Sequence, residues 1–255
     1  ASLDPDRATL RAGHVTGRDM KRTLKKLIVG KGRTDQESRH STIQRRWEHV
    51  VAIWQTTYEE DAGLEKIVRL LLAASQFLFP GMYIKHLFWR MGALYQDFAM
   101  EVFVTLKTIF PLLVLYFGLE HNALVYFLVI WMMIETIMYI PTLIFASDVF
   151  PSPRSYRRSK LLIFFNYLEV VFSFAVIHMA GQYMNQPFQA WTDAVYVSFM
   201  ITSTIGFGEF YPVTGMGKLM VSLQSIFYLS YIALFISFFS VANTKGYFGD
   251  LSKRS

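Results

Sequence analysis

Thr204-Ile205-Gly206-Phe207-Gly208-Glu209 separates a short amphipathic segment from a long apolar one, and the reading of the whole chain turns on it. Glycines at alternate positions let the backbone take φ angles that other residues avoid. Successive carbonyl oxygens can then turn to one side, and a row of such oxygens can replace water around a dehydrated cation. Gly206-x-Gly208 also invites comparison with a dinucleotide-binding loop, but the place for a third glycine holds Tyr211 and no strand pattern precedes it.

Outward from this stretch the pattern is one of long apolar runs. A bilayer core needs about 20 predominantly apolar residues, each rising about 1.5 Å. Residues 102 to 119, 122 to 146, 161 to 182 and 219 to 243 approach or exceed that length. The last two are joined by a stretch too short to cross, of which residues 190 to 202 make about 18 Å of helix. It must dip in and return. The spacing predicts an all-α integral membrane protein with four transmembrane helices per chain and a re-entrant helix and loop between the last two. The chain opens with polar, charged residues rather than a short apolar core and cleavage site, so insertion is expected to use an internal segment.

A hydrophobic content of 53% is high for a soluble protein, and a net charge of +6 suits a membrane protein with a basic cytosolic face. Lys and Arg accumulate in cytosolic loops. Arg154, Arg157, Arg158 and Lys160 lie between the second and third runs, and Lys245, Lys253 and Arg254 follow the fourth, whereas the opposite loops hold Glu120, His121, Asp193 and Glu209. The expectation is a cell-membrane protein with both termini in the cytosol. The absence of cysteine excludes disulfides, thiolate metal sites and cysteine nucleophiles. Glu169 and His178 share one run, but no His-Glu-x-x-His or Gly-x-Ser-x-Gly accompanies them, so neither an enzyme nor a cofactor is expected.

Residues 1–40 form a basic polar arm, for which anionic lipid headgroups are one expected contact and a solvated arm the alternative; nucleic acid is not expected. Residues 41–100 read as amphipathic interfacial helices. The first follows an N-cap at Ser41 and aligns Ile43, Trp47, Val50, Val51, Trp54 and Tyr58 on one face. The second starts near Asp61 and carries Leu64, Ile67, Val68, Leu71 and Leu72; Arg69 and the Pro80-Gly81 break hold its apolar run below spanning length. Residues 101–147 supply a transmembrane helix pair, 148–160 a basic linker, 161–243 the last two spans with their re-entrant segment, and 244–255 a tail. Three ionisable residues fall inside apolar runs: Lys107, Glu135 and Glu169. Each would be costly to bury alone, and their similar depths predict that Lys107 pairs with one of the carboxylates, with snorkelling of the lysine as the alternative.

Residues 204–209 resemble the signature of the potassium channel family, Thr-Val-Gly-Tyr-Gly-Asp or Thr-Ile-Gly-Phe-Gly-Asp. The resemblance covers residues 161–243. Asp193-Ala194-Val195-Tyr196-Val197-Ser198-Phe199 resembles the family's pore helix, and Tyr211-Pro212-Val213-Thr214 with Gly217-Lys218-Leu219 resembles the start of its inner helix. The resemblance implies potassium sites formed by the backbone carbonyls of Thr204, Ile205, Gly206 and Phe207 and by the Thr204 hydroxyl, with Gly208 completing the outward turn and no other metal. It implies that Tyr196 packs behind the filter and that Glu209 rings the outer mouth. Phe207 lacks the hydroxyl of the commoner Tyr, and Glu209 is one methylene longer than the family's Asp.

One filter strand supplies one quarter of a ring of oxygens, and the loop around residues 119–122 is too short for a second pore helix. A homotetramer is therefore expected, each chain partnered by three further copies. Tyr228 stands where the family often has a hinge glycine, and Leu229, Ile232, Ile236 and Phe239 would line the cavity or gate. The second span carries only Glu135, so it has no arginine ladder of the kind that senses voltage. The function implied is passive, potassium-selective conduction; a weakly selective cation channel or a non-conducting regulatory membrane subunit is the alternative.

Overall fold

Apolar runs of this length, poor in Gly and Pro, form helices that satisfy their own backbone hydrogen bonds, as a span must in lipid. The computed structural model describes residues 42–55, 63–145 and 156–242. Its elements run α1 (Thr42–Trp54), α2 (Gly63–Ser75), a 3-10 turn (Gln76–Leu78), α3 (Pro80–Leu87), a second 3-10 turn (Trp89–Met91), α4 (Ala93–Tyr116), α5 (Ala123–Phe145), α6 (Tyr156–Gly181), α7 (Trp191–Thr202) and α8 (Gly215–Ala242). No β-strand occurs among the described residues, only an isolated bridge between Met184 and Pro212. The basic arm, Ser41, Tyr58, Asp61, Arg154 and the tail lie outside them.

The helices α4, α5, α6 and α8 are each long and apolar enough to cross a membrane. Two of them begin earlier than their apolar runs suggest. The first turns of α4 include Asp97 and Glu101, and those of α6 include Arg157, Arg158 and Lys160, which the charge pattern assigns to a linker. The reason is mutual neutralisation: Arg158 grips Glu101 through Nε and through Nη2, the latter 3.1 Å from Oε2, while its Nη1 lies 3.6 Å from Asp97 Oδ2. A bidentate guanidinium–carboxylate pair lets both helices extend through charged turns at the rim of the bundle.

Helix α6 is the hub. It packs against α4, α5, α7 and α8 and is the most buried of the four spans. On one side Val170, Phe174 and Ile177 join Met133 of α5 and Phe227, Tyr231 and Leu234 of α8; on the other Ala175 and Val176 meet Val114 of α4, Val129 of α5 and Ala194 of α7.

The segment α1–α3 turns much of its apolar surface outward. Trp47, Trp54, Leu64, Ile67 and Leu71 are exposed, while Ile53, Leu72 and Arg69 are buried. A helix in contact with lipid gains nothing by hiding leucines from it, and tryptophan rings suit the headgroup level. At the Pro80 break the run Gly63–Leu78 and the run Pro80–Met91 meet at 63°, so this segment is bent rather than a straight fifth span.

A polar knot joins this segment to the bundle. Lys107 Nζ lies 3.1 Å from Glu135 Oε2 and 3.9 Å from Glu169 Oε2, and it donates to Thr136 Oγ1 at 2.6 Å. The other oxygen of Glu135 accepts the Gly81 amide proton at 3.1 Å. A Cβ at Gly81 would stand 2.7 Å from that oxygen, so a larger residue there would make the Glu135 carboxylate shift. The lysine thus points into the bundle at its neighbours and does not reach outward. Removing one member of a buried charge pair costs about 3–5 kcal/mol, because the other is left uncompensated. Lys107→Met is expected to destabilise the protein by about 3 kcal/mol, and adding Glu135→Gln should cost much less than it does alone. Unfolding in mixed micelles measures the cycle, and additive losses would show that the two residues do not interact.

Candidate functional site

The short helix α7 starts where Asp193 accepts the amide protons of Gln189, at 2.9 Å, and Ala190, at 3.1 Å. A carboxylate in the first turn satisfies otherwise unpaired donors and suits the positive end of the helix dipole. The helix ends at Thr202, after which the amides of Ser203 and Thr204 donate to Phe199 O and Ile201 O. The chain then leaves the helix into residues 204–209, all of them exposed.

Their backbone is unusual. Thr204, Gly206 and Gly208 have φ of 57°, 50° and 79°, whereas Ile205 and Phe207 are not left-handed. The left-handed region thus recurs at every second residue, the pattern for which the two glycines are suited. A Cβ on Gly206 or Gly208 would meet nothing within 4 Å, so conformation and not crowding requires glycine there. Thr204 takes the same conformation with a β-branched side chain, a combination glycine spacing cannot signal.

Beyond Glu209 the strand is tied down by the segment that follows α6. Asn185 exchanges backbone and side-chain bonds with Tyr211, its amide donating to Tyr211 O at 3.0 Å and its Oδ1 accepting from Tyr211 N at 3.0 Å. Asn185 Nδ2 also donates to Glu209 O at 3.2 Å, and Val213 N donates to Tyr183 O. Gly217 permits this clamp, since a Cβ there would lie 2.6 Å from Tyr183 Cβ.

Behind α7 lies a buried network. Gln224 of α8 directs Nε2 to Ser198 O at 3.0 Å, Ser198 Oγ at 2.8 Å and Thr202 Oγ1 at 2.8 Å. Those acceptors fix the orientation of the amide, so its Oε1 faces His178 Nε2 at 3.0 Å and the imidazole nitrogen is the donor. Ser198 Oγ in turn donates to Val171 O of α6 at 2.5 Å. His178, Ser198, Thr202 and Gln224 are all fully buried. Three helices are thereby joined through one side chain, immediately ahead of residue 204.

The positions singled out in the sequence distribute as follows. Tyr196 is partly exposed on α7, while the interior of that helix is formed by Ala194, Val197, Ser198 and Thr202. Leu229 and Ile236 are exposed on α8, Ile232 is half-buried, and Phe239 belongs to α8 with its side chain outside the described residues. Lys107, Glu135 and Glu169 come together, away from residues 204–209 in sequence and on different helices. Asn185, Ser198, Thr202 and Gln224 were not anticipated. The available signal was a glutamine within an apolar span, and a hydroxyl pair four residues apart on the helix before it.

Residues 162–245 match the family described as "Ion channel". No curated protein and no solved structure matches the chain. The matched stretch comprises most of α6, α7 with its exposed strand, and α8, about a third of the chain, and with its four spans the chain is an integral membrane protein.

Gln224→Leu leaves the buried His178 Nε2 without its partner, at about 1–3 kcal/mol, and removes a donor to the Ser198 and Thr202 hydroxyls, which keep their own bonds to Val171 O and Ser198 O. The variant is expected to lose about 2 kcal/mol of stability in micelles. Thermal unfolding followed by circular dichroism measures this, and a midpoint equal to that of the parent would show that the network carries no net stabilisation.

Proposed function

We propose that the chain is a potassium-selective channel, in which four copies surround one axis and each contributes residues 204–208 to a shared filter. The observation that carries this reading is the strand itself, Thr-Ile-Gly-Phe-Gly with left-handed φ at every second residue, held between α7 and α8 and uncovered by the rest of its own chain. Oxygens on such a strand would replace the hydration shell of a permeating ion. One strand cannot enclose an ion, and no second one occurs in the sequence. The exposed row Met216, Leu219, Leu223, Ile226 and Leu229 along α8 offers the apolar surface that copies would share around the axis. Under this reading Leu229, Ile232, Ile236 and Phe239 line the inner cavity, where an apolar constriction would gate by dewetting. Tyr196 supports the filter from α7, and both termini face the cytosol at the membrane side that carries the basic residues 154–160. The chain conducts and catalyses no covalent chemistry.

A weakly selective cation channel is the second reading, favoured by Glu209, which stands in place of the family's Asp. Flux into liposomes containing only this protein separates the two: potassium uptake should far exceed sodium uptake, because the rings of carbonyl oxygens favour the larger dehydrated ion. Equal uptake would exclude the first reading, and a monomeric protein in native mass measurements would exclude both.

The exposed carboxylate of Glu209 would concentrate cations at the outer mouth through a field that salt screens over about 10 Å at 0.1 M. Glu209→Gln is expected to lower single-channel conductance severalfold at low ionic strength and little at high. An equal reduction at every salt concentration would assign Glu209 a structural role in the filter.

A further inference from the structure

The bent segment α1–α3 and the end of α5 enclose a cleft that the conduction pathway does not use. The enclosed space is small, about 90 Å³, and it opens outward between the helices, so a ligand would seat only a compact polar group in it and leave the rest outside. Two cationic side chains line it, Arg46 from α1 and Lys85 from α3, together with Gln76. The Gln76 Nε2 atom is buried and has no hydrogen-bond partner among the described residues. Much of the remaining wall is apolar, with Phe79, Met100 and Met138 contributing to it. Glu135 also borders the cleft, but its two oxygens are already engaged by Gly81 and Lys107.

We propose that this cleft is a binding site for an anionic phospholipid, whose headgroup sits between Arg46, Lys85 and the Gln76 amide. Charge complementarity selects an anion, and the apolar wall selects one that carries a chain. A second, more open groove, lined by Leu78, Leu87 and Trp131, shares Phe79 with the cleft and is almost wholly apolar, so an acyl chain has a path outward along α3. Leu78 and Leu87 are among the most exposed leucines of the protein, which places that path at the lipid-facing surface.

Like charges brought together out of water oppose each other. Burial, and then the Arg46 cation, hold the Lys85 amine below the usual lysine range, with Asp97 acting against them. An anion seated between the two cations would relieve that repulsion, and occupancy would therefore fasten α1 and α3 to α5. The headgroup would also rest beside the Gly81–Glu135 contact, so the lipid and the Lys107 knot would support one wall in common. This inference concerns α1–α5 and is independent of which ion the channel passes.

The test uses the full chain in detergent, with phosphatidylglycerol, phosphatidylcholine of the same chains, or inorganic phosphate added. Phosphatidylglycerol should raise the unfolding midpoint by several degrees and remain bound in native mass spectra at one per chain. Phosphatidylcholine and phosphate should do neither. Lys85→Gln should weaken the response about tenfold, as expected for loss of one charge-assisted bond, and Lys85→Arg should retain it. If Lys85→Gln does not fold, Arg46→Gln is read in the same way. Neutralising Lys21, Arg22, Lys25 and Lys26 of the basic arm should leave binding intact. Equal stabilisation by both lipids, equal stabilisation by phosphate, an unchanged response in the Lys85→Gln and Arg46→Gln variants, or loss of binding on neutralising the arm would each overturn the assignment.

Discussion

Lipid offers no partner to a stray hydrogen-bonding group, and that constraint organises this protein. A channel must nevertheless carry polar residues into its interior, to orient its backbone and to hold its helices in register. The chain meets both demands by gathering most such residues into two bonded sets. One set centres on Lys107 and ties α3, α4, α5 and α6 together; the other centres on Gln224 and ties α6, α7 and α8. Beside them stands one bond from Thr108 Oγ1 to Phe165 O at 3.0 Å, and much of the other packing is apolar contact, which in a membrane holds shape but gives less directional information than a hydrogen bond.

The two sets share α6, through Glu169 and Ser173 for the first and Val171 O and His178 for the second. This sharing explains why α6 is the most buried span although its mean hydropathy does not set it apart from the others. It also explains how a bent peripheral segment can be joined to the ion channel domain without touching the exposed strand. Gly81 reaches Glu135, Glu135 reaches Lys107, and Lys107 lies beside Glu169.

The four spans were legible because twenty apolar residues in succession have few alternatives. The strand at 204–208 was legible because alternate glycines report a backbone requirement directly. Helix starts were harder: Asp97, Glu101 and Arg158 look like loop residues until the chain folds and they cancel one another. What lies against the amphipathic faces of α1 and α2 is a different matter. Periodicity locates the apolar stripe of a helix, but not whether lipid or protein lies against it, so Leu64, Ile67 and Leu71 point outward while Arg69 points inward. The Gln224 network was invisible as a set. His178, Ser198, Thr202 and Gln224 are scattered over the sequence, and nothing in one of them specifies the others.

The clamp near the beginning of α8 has a mechanical consequence. Gly217 is pressed against Tyr183, and Gln224 is bonded to both neighbouring helices, so the first two turns of α8 are fixed at each end. From there to Ala242 the helix contains neither glycine nor proline to concentrate a bend. It is a cantilever: any displacement of its far end must grow smoothly with distance from Gln224, leaving the rod still at its root and freest at its tip.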